Sequence, residues 1–176
     1  MMVASGRSMG FAGNIAPPNQ HTRRSPPPLP RPAASRAERA TATGFALLGC
    51  LAFTVAAILS PYDASGRPLS HGTHRQLGLP PCAMKTLTGF PCPSCGMTTS
   101  ISLFMHGDLA AASEANWAGI IVAGLGLLAT AWLAAVAAGF SAGSFTVDET
   151  VKWLTVVGAT AAMLRWLTLV VAWFGL

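Results

Sequence analysis

The sequence predicts an all-α membrane protein with three transmembrane helices and a short interfacial or re-entrant helix that follows a Cys-x-x-Cys turn. Three observations predict this class. Hydrophobic residues make up 52% of the 176 residues and charged residues only 10%, which is too little charge for the surface of a soluble domain. Three long stretches carry almost no charge, and each is long enough to cross a bilayer as a helix. Three of the four cysteines lie in one short segment between the first two stretches.

Residues 1–39 are predicted to form a disordered, cytoplasmic tail rich in proline and arginine. The tail has scarcely any apolar periodicity, so it could not bury enough surface to offset the entropy of folding. A proline-rich docking ligand and an anionic-lipid tether are alternative roles. Its long basic region without a convincing cleavage site does not fit a secretory signal. Six of the 11 basic residues lie here: Arg7, Arg23, Arg24, Arg31, Arg36 and Arg39. Because the rest of the chain is close to neutral, we expect no nucleic-acid partner.

The first transmembrane helix is predicted over residues 40–62. These 23 residues carry no charge, and as a helix they would reach about 34 Å, enough for a hydrocarbon core of about 30 Å. Cys50 lies within this stretch, and we expect a lone thiol there to pack as a small apolar group.

The second transmembrane helix is predicted over residues 117–140 and the third over 151–175. Small residues in the second would let neighbouring helices approach closely; they are Gly119, Gly124, Gly126, Ala131 and Ala135. Arg165 interrupts the third stretch, at a cost that such an apolar helix can absorb. Its side chain either extends to a lipid headgroup or faces the bundle and neutralises a carboxylate, a thiolate or an anionic ligand. Glu114 is the carboxylate we consider as its intramembrane partner.

The distribution of arginine predicts the topology. Basic residues near a transmembrane helix favour the cytoplasmic side, so the N-terminus is expected in the cytoplasm of a multi-pass protein of the cell membrane. Residues 63–96 then form an extracytoplasmic loop that carries the cysteines, 97–116 form short interfacial helices, and 141–150 form a cytoplasmic linker. The thiols would therefore face an oxidising compartment.

Prolines and a glycine flank Cys92 and Cys95 in the cysteine turn. Pro91 and Pro93 fix the backbone on both sides of Cys92, and Gly96 suits a tight turn. The apolar spacing after Gly96 predicts a helix with Thr98 as its N-cap. Cys95 would then lie at the positive end of the helix dipole, which predicts a lowered thiol pKa.

The residues that follow this helix have structural interpretations. Asp108, directly after Gly107, is expected to cap a helix from Leu109 to Ala115. Asn116, next to a tryptophan, suits the membrane interface.

Three interpretations of the cysteines remain open. A disulfide between Cys92 and Cys95, or between Cys82 and either of them, would brace a loop with little core of its own. A metal site is the second, with the three cysteines as ligands, His71 or His74 as a weaker fourth, and Zn or Cu(I) as the ion. The third is a dithiol that exchanges with a partner's disulfide.

The segment from Thr88 to Thr99 also resembles the signature of an uncharacterised family of small bacterial integral membrane proteins. Members have a Thr-Gly-x-Pro-Cys-Pro-x-Cys-Gly-x-Thr core, a downstream Gly-Asp and Asn, matched here by Gly107-Asp108 and Asn116, and usually an earlier cysteine such as Cys82. Many members have arginine where this chain has Thr99. Because the family is a domain of unknown function, the resemblance implies location and architecture and not a reaction.

The sequence therefore favours a noncatalytic accessory or interaction protein whose cysteine turn is a structural disulfide or a metal site. The alternative is a membrane thiol-disulfide oxidoreductase or a metal-handling protein. The lipid bilayer is the expected surrounding, with a membrane protein or a second copy of the chain as a possible partner. No hydrolase triad, phosphate-binding glycine loop or metalloprotease motif is present in the sequence.

Overall fold

A computed structural model describes residues 34–140 and 146–175. Within these ranges the chain is helical, and its only β contact is an isolated bridge between Tyr62 and Pro68. The helices are α1 (Arg36–Ile58), α2 (Ala83–Thr88), α3 (Met97–Met105), α4 (Leu109–Ala137) and α5 (Val147–Phe174), with a 3-10 turn at Thr73–Leu77. The predicted fold class is confirmed, because α1, α4 and α5 are long and apolar enough to cross a membrane and α3 is the short helix after the cysteine turn.

Helix α1 begins and ends earlier than the stretch predicted from the absence of charge. Ser35 caps its N-terminus, where the Ser35 hydroxyl accepts a hydrogen bond from the Glu38 amide at 3.1 Å. Leu59 is already extended, and Pro61 two residues later cannot continue a helix. Residues 36–39 are therefore helical, although we predicted them as the end of a disordered tail; the rest of the predicted tail, residues 1–33, lies outside the described residues.

Helix α4 joins two segments that the sequence predicted separately. Asp108 caps it, as expected, by accepting a hydrogen bond from the Ala111 amide at 3.1 Å. Asn116 interrupts the helix with extended backbone angles, φ −166° and ψ 101°. The first part of α4 therefore lies beside α3, and the part after Asn116 is the second long apolar span.

Helix α4 approaches α3 and α1 closely where it carries glycine. A Cβ at Gly119 would meet the Ser100 side chain at 2.5 Å, and one at Gly126 would meet Phe53 at 2.9 Å. Gly124 has open space around it, so the expected close contact is made at the first two positions and not at the third. Large apolar side chains remain outside, such as Leu47 at 67% exposure and Ile58 at 77%, which fits a lipid surrounding.

Helix α5 begins at Val147, four residues before the predicted span, because the Thr146 hydroxyl accepts the Glu149 amide at 3.2 Å. Residues 141–145 of the predicted linker lie outside the described residues. Arg165 is half-buried on α5 and forms no ion pair with Glu114. The ion pairs between described residues are instead those of Arg67 with Asp63 and of Lys152 with Asp148 and Glu149.

Two contacts, one at each end of the helical bundle, connect separate parts of the chain. The Arg39 guanidinium donates to the Ala137 carbonyl through Nε at 3.2 Å and through Nη2 at 3.1 Å, so the start of α1 lies at the end of α4. The cation also complements the negative end of the α4 dipole. At the other end, Trp166 of α5 contacts the cysteine segment through the Pro91 carbonyl.

Candidate three-thiol site

Three sulfurs converge where α2, the cysteine turn and α3 meet. The Sγ atoms of Cys82, Cys92 and Cys95 all lie within 4.8 Å of one another, and all three residues are half-buried. The sulfurs of Cys92 and Cys95 lie 3.3 Å apart. All four cysteines are free thiols, so none of the disulfides considered from the sequence is formed in the structure. Cys50 is exposed on α1, apart from this cluster.

Gly96 fixes the turn that carries Cys92 and Cys95. The Cys95 amide donates to the Cys92 carbonyl at 3.0 Å, and Gly96 follows with φ +82°, a conformation that glycine adopts without strain. A Cβ at Gly96 would lie 2.7 Å from the Ala115 carbonyl oxygen and 2.9 Å from that of Ser70. Glycine is therefore needed both for the backbone angle and for the close approach.

The N-cap of α3 is Gly96, and no side chain caps the helix there. The prediction that Thr98 would be the N-cap is therefore wrong by two residues. The left-handed turn at Gly96 places the start of the helix earlier than the threonine pattern indicated, and Thr98 instead lines the cavity beside the sulfurs.

Asn116 holds the cysteine turn against α4. Its side chain is 1% exposed; Nδ2 donates to the Cys95 carbonyl at 3.1 Å, and Oδ1 accepts from the Ala118 amide at 3.1 Å. The Asn116 carbonyl accepts from the Ser100 hydroxyl at 2.7 Å. An amide that breaks a helix therefore finds its partners inside the protein, and the expected place of Asn116 at the membrane interface stays a prediction.

Trp166 and Trp173 of α5 hold the other side of the turn. The Trp166 indole Nε1 donates to the Pro91 carbonyl at 3.1 Å. Phe90 makes edge-to-face contacts with both indoles, with ring centroids 6.2 Å from Trp166 and 5.5 Å from Trp173. Sequence reasoning missed this contact; the available signal was a Phe-Pro step in the motif and two tryptophans seven residues apart, which places them on the same face of α5.

A cavity of about 650 Å³ adjoins the sulfurs. Besides the three cysteines, basic residues line it, namely His71, His74, Arg75 and Lys85. Neither histidine belongs to the sulfur cluster. His71 Nε2 lies 2.8 Å from Lys85 Nζ, and His74 Nε2 lies 3.2 Å from the Pro80 carbonyl oxygen. The structure therefore places both predicted weaker ligands at the cavity. The imidazole of His71 contacts Lys85, and that of His74 contacts the Pro80 carbonyl, so neither ring points to the sulfurs as a ligand.

The electrostatics of the sulfurs differ from the sequence expectation, which was a lowered pKa of the Cys95 thiol. The backbone amide of Lys85 lowers the pKa of the Cys82 thiol to about 7, assisted by the Cys95 thiol. The Cys82 side chain does not form a capping hydrogen bond with the start of α2. The Lys85 amide therefore lowers the Cys82 pKa as a nearby dipole. Burial, followed by the neighbouring thiols of Cys82 and Cys92, raises the pKa of Cys95 to about 12. The predicted lowering at Cys95 is wrong because desolvation outweighs the dipole of a nine-residue helix.

His106 takes no part in the cluster, as its distance along α3 predicts. It ends that helix, its Nδ1 lies 2.8 Å from the Ser102 carbonyl oxygen, and its ring makes an edge-to-face contact with Tyr62. Gly107 follows with φ +80° and turns the chain towards Asp108 and α4.

The fold and the site together define an all-helical protein with three helices of membrane-spanning length and a three-thiol site at one end of the bundle. Residues 82–132 match the family described as Protein of unknown function (DUF2752), which confirms the resemblance to an uncharacterised family. The matched range begins at Cys82 and contains the cysteine turn, α3 and most of α4. No curated protein and no solved structure matches the chain.

Proposed function

We propose that this membrane protein binds one soft metal ion, Zn²⁺ or Cu(I), through Cys82, Cys92 and Cys95. The observation that carries this proposal is the convergence of three sulfurs from two separate segments. Zn–S bonds of about 2.3 Å place the sulfurs of a tetrahedral site about 3.8 Å apart. The Cys92 and Cys95 sulfurs lie 3.3 Å apart and no pair is more than 4.8 Å apart, so small side-chain rotations would complete the site.

The donor set supports a soft ion. Thiolates favour Cu(I) and Zn²⁺ over Mg²⁺ or Ca²⁺. Three thiolates are a full trigonal set for Cu(I), whereas Zn²⁺ takes a fourth ligand. His71 or His74 would be that ligand only after its ring leaves its present hydrogen bond, so an added molecule at the cavity side is the simpler fourth ligand.

The role we propose for the ion is noncatalytic. The segment between α1 and α3 contains only the 3-10 turn and α2, and α2 has no buried residue. A metal bound by three cysteines would link α2 to the turn before α3 and so stabilise a surface for a membrane-protein partner or for a second copy of the chain.

The topology that accompanies this role has the N-terminus in the cytoplasm and the cysteines outside. Two features support it: the six arginines of residues 1–39, and the contact of Arg39 with the end of α4, opposite the end where Trp166 meets Pro91. A reporter enzyme that is active only outside the cytoplasm should give signal when fused after Gly66 and none when fused after Thr150. The reverse pattern would overturn the topology and leave the metal proposal intact.

Metal analysis tests the proposal directly. Detergent-purified full-length chain, produced with Zn²⁺ or Cu(I), should hold about one ion per chain. The Cys92→Ser, Cys95→Ser variant should hold almost none, and the matched Cys50→Ser variant should be unchanged because Cys50 lies outside the cluster. Equal, negligible metal in all three proteins would refute the metal site.

Thiol-disulfide exchange is a second candidate, favoured by the 3.3 Å separation of the Cys92 and Cys95 sulfurs in a Cys-x-x-Cys turn. One thiolate would attack a partner's disulfide and release one partner thiol. The other cysteine would then resolve the mixed disulfide, which forms the Cys92–Cys95 bond and releases the second partner thiol, so two electrons and two protons pass to the partner. Acid trapping of thiols separates the candidates: two exchanging redox forms indicate exchange, and thiols protected until a chelator is added indicate metal.

A further inference from the structure

The cavity beside the sulfurs is much larger than a metal ion needs. Its volume of about 650 Å³ lies in the range of about 300–1,000 Å³ that is typical of sites for small organic ligands. One wall carries the three cysteines, and another is formed by the 3-10 turn and by Lys85 of α2. A bound metal would occupy the sulfur wall and leave most of this volume open.

The charges that line the cavity are all of one sign. Arg75 and Lys85 are cationic, His71 and His74 add two imidazole rings, and none of the described residues that line it is a carboxylate. Elsewhere in the same loop a basic residue does have an acidic partner, since Arg67 pairs with Asp63 at 3.7 Å. The Arg75 side chain, by contrast, makes no hydrogen bond or ion pair with another described residue.

One hydrogen bond holds the Lys85 ammonium in position and leaves its other N–H groups without a partner in the part of the chain that the structure describes. An ammonium group can only donate, so the His71 Nε2 at 2.8 Å must accept and the ring must be neutral. Its Nδ1–H then donates to the Ser70 hydroxyl at 2.8 Å. Consistently, burial, followed by the nearby charges of Lys85 and His74, lowers the pKa of His71. The ammonium of Lys85 is therefore fixed by one hydrogen bond and keeps two N–H groups for another acceptor.

We propose that this cavity binds a small carboxylate or oxyanion, with Lys85 and Arg75 as its charged ligands. Hydrogen bonds from ammonium and guanidinium groups to anionic oxygen are among the strongest in proteins. The anion would also lie beside the sulfurs, where it would supply the fourth ligand to a bound Zn²⁺. Anion binding itself depends on the two cations and not on the metal. The same chemistry fits a soluble anion and the phosphate of a lipid headgroup.

Calorimetric titration of the full-length chain in a nonionic detergent, with inorganic phosphate and with succinate as probes, tests the proposal. Saturable binding is expected for at least one probe. Lys85→Gln and Arg75→Gln should each weaken it about fivefold to tenfold, as expected for one charge-assisted hydrogen bond in a partly exposed site. Arg67→Gln is the matched control: it removes the same charge from the same loop but outside the cavity lining, and its affinity should stay within about twofold of the wild-type value.

Nanodiscs distinguish the two sources of the anion. If a headgroup occupies the cavity, phosphatidylglycerol discs should suppress phosphate binding relative to phosphatidylcholine discs; equal binding in both identifies a soluble anion. The proposal is overturned if neither probe binds in detergent, or if Arg67→Gln weakens binding as much as Lys85→Gln does. Metal content, measured on the same samples, shows separately whether the three-thiol site is intact.

Discussion

Replacing Gly96 by alanine should both destabilise the protein and displace the cysteine turn. The φ of +82° costs a non-glycine residue about 1–2 kcal/mol. The new Cβ would also lie 2.7 Å from the Ala115 carbonyl oxygen, about 0.7 Å inside ordinary contact, and overpacking of this kind costs about 1–3 kcal/mol. The expected loss in the free energy of unfolding is therefore about 2–5 kcal/mol, the sum of the two effects.

Gly107→Ala is the matched control for this prediction. Gly107 follows the other end of α3 and has nearly the same φ, +80°, but nothing lies within 4 Å of its added Cβ. The free energy of unfolding of Gly107→Ala should fall only by the cost of the left-handed backbone conformation, about 1–2 kcal/mol. Thermal unfolding in detergent, followed by tryptophan fluorescence, should separate the two variants by about 2–4 °C for each kcal/mol. Equal midpoints and equal metal content would refute the idea that close approach at Gly96 positions the sulfurs.

Three further predictions concern contacts around the turn. Asn116→Ala leaves the buried Ala118 amide and the Cys95 carbonyl without their partner; it should cost about 2 kcal/mol or more and reduce metal content. Trp166→Phe keeps the ring contact with Phe90 but removes the hydrogen bond to the Pro91 carbonyl. The free energy of unfolding should fall by about 0.5–1.5 kcal/mol; an unchanged value would show that this hydrogen bond does not stabilise the protein. In metal-free protein at pH 8, where Cys82 is mostly thiolate and Cys95 almost wholly thiol, partial alkylation followed by mass spectrometry should modify Cys82 before Cys95; the opposite order would contradict the directions of these two pKa shifts.

Much of the fold follows from local sequence because a membrane-spanning helix satisfies its own backbone and needs only an apolar run of sufficient length. The uncharged stretch after residue 39 identified α1, and the stretch after Trp117 identified the second half of α4. Errors at the helix ends came from caps that composition does not reveal. Ser35 and Thr146 begin their helices about four residues before the apolar runs do.

The candidate site was predicted only in part. The Cys-x-x-Cys spacing indicates one close pair of thiols, since a turn of four residues brings its ends together. Whether Cys82, ten residues earlier, joins that pair depends on how α2 lies beside the turn. The direction of the Cys95 pKa shift was predicted wrongly because burial of Cys95 depends on α3 and α4, which no local pattern describes.

The sequence by itself determined the number of long apolar helices, the position of the cysteine turn between the first two, and the concentration of positive charge ahead of α1. These properties depend on composition and short spacing. The tertiary structure alone decided that three sulfurs share one site, that Asn116 and Trp166 hold the turn from opposite sides, and that basic side chains line a cavity beside it. Each of these is a contact between residues from separate elements, and such contacts depend on how the helices pack rather than on any local pattern.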